Sequence, residues 1–130
     1  MDRVVIDAPC TGTGTWRRRP DTKWKLTPEL LSQRVAEQAA ILNEGKGYLK
    51  AGGTLIYITC SILPEENDDQ IAAFRAANPD FVSVPPETLW LEAFGSALPA
   101  GIATSQAGIR LTPRLTGTDG FYFNALRRTA

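Results

Sequence analysis

The sequence predicts an α/β layer fold on a mainly parallel sheet, and three observations carry that expectation. Val4-Val5-Ile6 and Leu55-Ile56-Tyr57-Ile58 are continuous apolar runs of strand length, the pattern of strands buried on both faces. Between them Leu31, Val35, Ala39 and Leu42 recur at helical spacing. Strands that alternate with helical segments in this way build parallel crossover units.

The elements follow in order. The first run ends at Asp7, and Ala8-Pro9-Cys10-Thr11-Gly12-Thr13-Gly14 reads as a loop because proline and glycine break regular structure. The basic stretch through Trp16 and Trp24 shows no period and is also read as loop. Thr27-Pro28-Glu29 has the form of a helix start: a hydroxyl to cap, a proline whose missing N–H costs nothing there, and an acid at the positive end of the dipole. Gly45 and Gly47 are expected to stop that helix. The second strand ends at Thr59-Cys60-Ser61, and Pro64-Glu65-Glu66 opens another helix that Asn78-Pro79 closes. Phe81 to Val84 is a third strand. Residues 86–117 show no clear period and read as a long loop, a length that is often functional in a compact domain. Phe121 to Leu126 is the last strand.

Composition narrows the classes. A chain of 130 residues supports one core, so residues 1–130 are taken as a single unit. It is 43% hydrophobic and 22% charged, ordinary for a globular protein. No run approaches the roughly 18 apolar residues of a membrane span, and no export signal stands at the N-terminus, so the cytoplasm is the expected compartment. The 14 basic and 14 acidic residues balance, so global charge does not announce a nucleic-acid partner. Locally Arg17, Arg18, Arg19, Lys23 and Lys25 form a basic stretch, while Glu65, Glu66, Asp68 and Asp69 read as helix-end or solvated charges.

The absence of histidine excludes Ser-His-Asp and Cys-His catalysis and Cys/His zinc sites, and no metal is expected. Cys10 and Cys60 could pair in a secreted protein; in a reducing compartment they are free thiols, either small buried hydrophobes or catalytic groups. Each follows a predicted strand by one to three residues, where open α/β sheets place their chemistry. If the two strands are neighbours, the thiols face one crevice.

Two stretches carry a family resemblance. Asp7-Ala8-Pro9-Cys10-Thr11-Gly12-Thr13-Gly14 and Thr59-Cys60-Ser61-Ile62-Leu63-Pro64-Glu65-Glu66-Asn67 resemble the signature motifs of the Sun-type (NOL/NOP/Sun) RNA cytosine-5 methyltransferases. Arg18-Arg19-Pro20-Asp21, Leu49-Lys50-Ala51-Gly52-Gly53 and Thr118-Asp119-Gly120-Phe121-Tyr122 match as flanks. The resemblance implies the C-terminal part of a Rossmann-like S-adenosylmethionine-dependent methyltransferase fold, mainly parallel with an antiparallel last strand. It also implies an RNA substrate, ribosomal RNA in the reading taken.

By that resemblance Cys60 is the nucleophile that adds to cytosine carbon 6, Cys10 assists release, and Asp7 contacts the methyl donor. Covalent addition makes carbon 5 nucleophilic, splitting one hard step into easier ones. An ordinary thiol near pKa 8.5 is only about 3% ionised at pH 7, so activation is needed; the arginine stretch or a helix N-terminus are the candidates. Arg17, Arg18 and Arg19 are expected to meet RNA phosphates, with Trp16 and Trp24 placed either to stack bases or to pack in the core. Thr112-Pro113-Arg114 departs from the Pro-His pair usual in the family.

In the family the glycine-rich donor loop and its acids lie upstream of these motifs, so the chain is expected to be the C-terminal half of a catalytic domain, inactive alone. A first strand without its outer neighbour is then expected to self-associate. The alternative is a non-catalytic RNA-binding or interaction module of the same fold. A thiol redox protein fits poorly, because no Cys-x-x-Cys is present.

Overall fold

Along the chain run β1 (Arg3–Asp7), α1 (Asp21–Lys25), α2 (Pro28–Gly47), β2 (Thr54–Thr59), α3 (Asp68–Ala77), β3 (Phe81–Ser83) and α4 (Pro86–Phe94). After them come β4 (Ala103–Ser105), β5 (Gly108–Leu111), α5 (Pro113–Thr116) and β6 (Phe121–Arg128). Single 3-10 turns occupy Thr13–Thr15 and Pro64–Glu66. The structure is a computed structural model and describes residues 1–99, 102–105 and 108–130.

The strands form one sheet in the order β1-β2-β6-β5-β4, with β3 pairing β6 beside β5. Only β1 and β2 pair in parallel, in the register Val4↔Leu55 to Asp7↔Ile58. β6 runs antiparallel to β2 along one edge and to β3 and β5 along the other. β1, β2, β3 and β5 therefore share one direction, as the crossover pattern predicts, and β6 runs against them. The strands are mostly co-directional, yet most pairings are antiparallel, because β6 is inserted between β2 and the pair β3 and β5.

α2 and α3 cover one face. Ile6, Leu42, Leu55, Tyr57, Ile71, Phe74, Phe81, Tyr122 and Leu126 form its core, and full burial of Leu42, Leu55 and Leu126 stabilises by about 1.5–3 kcal/mol each. α2 begins as expected: the Thr27 hydroxyl accepts from Leu30 N–H at 3.1 Å and Pro28 follows. Gly45 does not stop the helix. A Cβ there would lie 2.8 Å from Ile6 Cδ1, so this glycine lets α2 approach β1.

Three expectations change. The basic stretch contains the short helix α1 as well as loop. α3 starts at Asp68 rather than Pro64, because the Asn67 side chain turns inward to Thr59 and Ser61 instead of continuing a helix. The segment 86–117 holds α4, β4, β5 and α5, apart from residues 100, 101, 106 and 107, which lie outside the described residues. α4 escaped detection because Leu89-Trp90-Leu91-Glu92-Ala93-Phe94 is nearly continuous in apolar character and has no helical stripe. It lies across the other face of the sheet, with Leu89, Trp90 and Ala93 toward Ile109, Leu111 and Phe123.

β1 is an edge of the sheet among the described residues, and Val5 on its uncovered face is 60% exposed. It is not the doubly buried strand that its composition suggests.

Candidate active site

Parallel pairing brings the carboxyl ends of β1 and β2 to the same edge, and Ala8 N–H extends the ladder to the Ile58 carbonyl at 2.9 Å. The two loops part and then converge. Cys10 Sγ and Cys60 Sγ stand 3.0 Å apart, both free thiols and both half-buried. Asp7 ends β1 with an exposed carboxylate to which no side-chain partner is bound among the described residues. The two strands are neighbours and their thiols meet.

Backbone contacts set the loops. Gly14 N–H donates to the Cys60 carbonyl at 2.9 Å, and Gly120 N–H donates to the Gly14 carbonyl at 2.7 Å. A Cβ on Gly14 would come within 2.2 Å of the Gly120 carbonyl oxygen, so only glycine fits. Gly12 turns the chain with φ +73°. Three motifs far apart in sequence thus meet at Gly14.

Beneath the thiols lies a polar hub that sequence reasoning missed. Glu66, expected as a helix-end charge, is fully buried. Its Oε1 accepts from Thr11 N–H at 2.8 Å and from Gln38 Nε2 at 3.1 Å. Its Oε2 accepts from Thr11 Oγ1 at 2.7 Å and from Ser61 Oγ. Gln38 also donates to the Pro9 carbonyl, and Tyr57 OH donates to the Glu66 carbonyl. Ser61 has one proton and gives it to Glu66, so Thr13 Oγ1 donates to Ser61 Oγ at 3.1 Å. Two signals for this hub were in the sequence: Glu66 stands inside the second motif, and Gln38 is a polar residue on the apolar stripe of Val35 and Leu42.

The two thiols titrate as a pair. The hydrogen bond from Cys10 lowers the Cys60 thiol to about 7, against the opposing effects of burial and of the Asp7 and Glu66 charges. Cys10 is pushed up by that same hydrogen bond, by burial and by the Cys60 charge. Each thiol's largest effect comes from the other, which favours the ionised form at Cys60 and the protonated form at Cys10. The neighbouring thiol is the largest effect on Cys60, and no arginine figures among the groups acting on it.

The arginines divide. Arg18 pairs with Asp119 at 2.9 Å and Arg17 donates to the Gly117 carbonyl at 3.2 Å, both bracing the segment beside Gly14. Arg19 is exposed with no side-chain partner among the described residues. Trp24 is 84% exposed, which excludes core packing within this chain, whereas Trp16 is half-buried under Lys23. Among the described residues no three Cys, Asp or Glu groups gather to hold a metal, and no helix is long and apolar enough to cross a membrane.

The sheet is Rossmann-like, and its two thiols meet at the carboxyl ends of neighbouring parallel strands, where open α/β sheets place their chemistry. A family model described as 16S rRNA methyltransferase RsmB/F matches residues 1–127, and the chain belongs to that family, which is of the Sun type. It is 40% identical over 129 residues to ribosomal RNA small subunit methyltransferase B of Photorhabdus laumondii, covering 98% of this chain and 26% of that protein. A crystal structure of PH0851 superposes with a TM-score of 0.84 at 30% identity, covering 98% of this chain and 26% of that one. A methyltransferase homolog from Pyrococcus horikoshii gives 0.73 at 28% identity, covering 98% and 39%. The chain spans between 19% and 27% of the length of the curated relatives it matches.

Proposed function

We propose that this chain carries the thiol chemistry of a cytosine-5 methyltransferase acting on ribosomal RNA, as the C-terminal half of a larger catalytic domain and inactive alone. The observation that supports it most is the contact between Cys10 and Cys60 at the carboxyl ends of β1 and β2, and in this reading the thiolate is Cys60. Cys60 attacks cytosine carbon 6, forming an S–C bond and moving the ring electrons to carbon 5. S-adenosylmethionine, the methyl donor of this reading, supplies an electrophilic sulfonium methyl. Once carbon 5 is methylated, its proton passes to a base; the C–H electron pair restores the ring double bond and expels the Cys60 sulfur. Cys10 S–H, held against that sulfur, stabilises the departing thiolate.

Asp7 is the donor-facing group of this chain: its carboxylate is exposed and free to accept from a ligand, whereas Glu66 is saturated by internal donors. RNA would lie along Arg19, Lys23 and Trp24, which combine exposed cations with an exposed ring for stacking. At β1 a second copy of the chain would pair with the open edge.

The test is adduct trapping with cytosine-containing RNA in the complete enzyme. Cys60→Ala abolishes methylation and forms no adduct, while Cys10→Ala attacks but releases slowly, so a covalent protein–RNA band accumulates on denaturing gels. An adduct from Cys60→Ala, with none from Cys10→Ala, reverses the roles. Methylation unaffected by either change removes both thiols from the chemistry, and RNA binding with neither methylation nor adduct in the wild type leaves the non-catalytic RNA-binding module.

A further inference from the structure

The Glu66 carboxylate joins the residues that directly follow the two cysteines, and nothing in its packing calls for a charge. It is 0% exposed, and no Lys or Arg pairs with it among the described residues. Burying an acid without a cation is costly. What the position does require is an acceptor. Thr11 N–H and Gln38 Nε2 can only donate, and Thr11 and Ser61 hydroxyls complete four donors on two oxygens. Thr11 follows Cys10, and Ser61 follows Cys60. Gln38, held on the same carboxylate, also fixes the Pro9 carbonyl on the other side of Cys10.

We propose that Glu66 is the positioning residue of the thiol pair, its carboxylate clamping the Cys10 loop to the Cys60 loop and so holding the two sulfurs in contact. This rests on the reading of Cys60 as nucleophile and Cys10 as its hydrogen-bond donor. Glu66 touches neither sulfur and acts through Thr11 and Ser61. Its charge alone works the other way, opposing ionisation of Cys60. Clamping and charge therefore predict opposite shifts when the carboxylate is removed, and the sign separates them.

The experiment is the pH dependence of iodoacetamide alkylation of Cys60 in this chain, read by peptide mass spectrometry, with circular dichroism as the fold check. It needs no RNA and no methyl donor. Glu66→Gln keeps an oxygen for Thr11 N–H and Gln38 and an amide that the rotatable hydroxyls can meet, so the midpoint stays at or slightly below that of the wild type. Glu66→Ala opens the clamp: the midpoint rises by more than one pH unit, and alkylation at pH 7 slows about threefold. If Glu66→Ala fails to fold, Thr11→Val combined with Ser61→Ala removes both hydroxyl bonds, frees the Cys60 loop from the carboxylate and leaves only Thr11 N–H and Gln38 on it, and a rise of the same sign is expected. A midpoint that is unchanged or lowered in a folded clamp variant overturns the proposal. A Cys10→Ala midpoint equal to that of the wild type instead sinks the thiol-pair reading on which it rests.

Discussion

Replacing Cys10 by alanine removes the hydrogen bond that holds the Cys60 thiol at about 7. What remains acting on Cys60 is mostly opposed to ionisation, namely burial and the Asp7 and Glu66 carboxylates. The thiol should return to at least the ordinary value of about 8.5. At pH 7 the ionised fraction then falls from about one half to about 3%, roughly sixteenfold. A more basic thiolate is intrinsically more reactive, by about fivefold for a rise of 1.5 units at a Brønsted slope near 0.45. The net effect on alkylation is about threefold slower at pH 7 and about fivefold faster on the alkaline plateau. The two pH profiles must therefore cross, which a mere change in access cannot produce. Stopped alkylation from pH 5 to 10, with the label located by mass spectrometry, is the assay. A Cys10→Ala midpoint still near 7, or parallel profiles that never cross, would refute the assignment of Cys10 as donor.

Other parts of the structure give further tests. Gly14→Ala drives a methyl group into the Gly120 backbone and should cost about 1–3 kcal/mol or more, read as a lower urea midpoint; an unchanged midpoint would mean the three motifs are not clamped there. Arg19→Ala should lower the salt slope of RNA binding by about 0.7 for a single strand while leaving thermal stability alone, and an unchanged slope assigns Arg19 to a solvated face. Val5→Lys should abolish a concentration-dependent dimer seen by light scattering, since β1 is an open edge and Val5 is 60% exposed; a wild-type monomer at every concentration refutes edge pairing.

From sequence alone the layered α/β class, the first and second strands, the long α2 and the last strand were legible, because each rests on local chemistry. Apolar runs, a Thr-Pro-Glu helix start and a periodic stripe need no knowledge of neighbours. The two cysteines were legible as a candidate pair for the same reason: each follows a strand, and each stands in a motif. Their contact was not, because it depends on β1 and β2 being adjacent and parallel, with loops of different length folding back to 3.0 Å. Glu66 looked like a solvated acid, since burial of a carboxylate is decided by donors from Thr11, Gln38 and Ser61, which are up to 55 residues away in sequence. Likewise the insertion of β6 between β2 and β3 is set by long-range pairing, which no local window contains. Sequence determined which groups the site has; tertiary structure decided which of them touch, because contact follows from distances between segments.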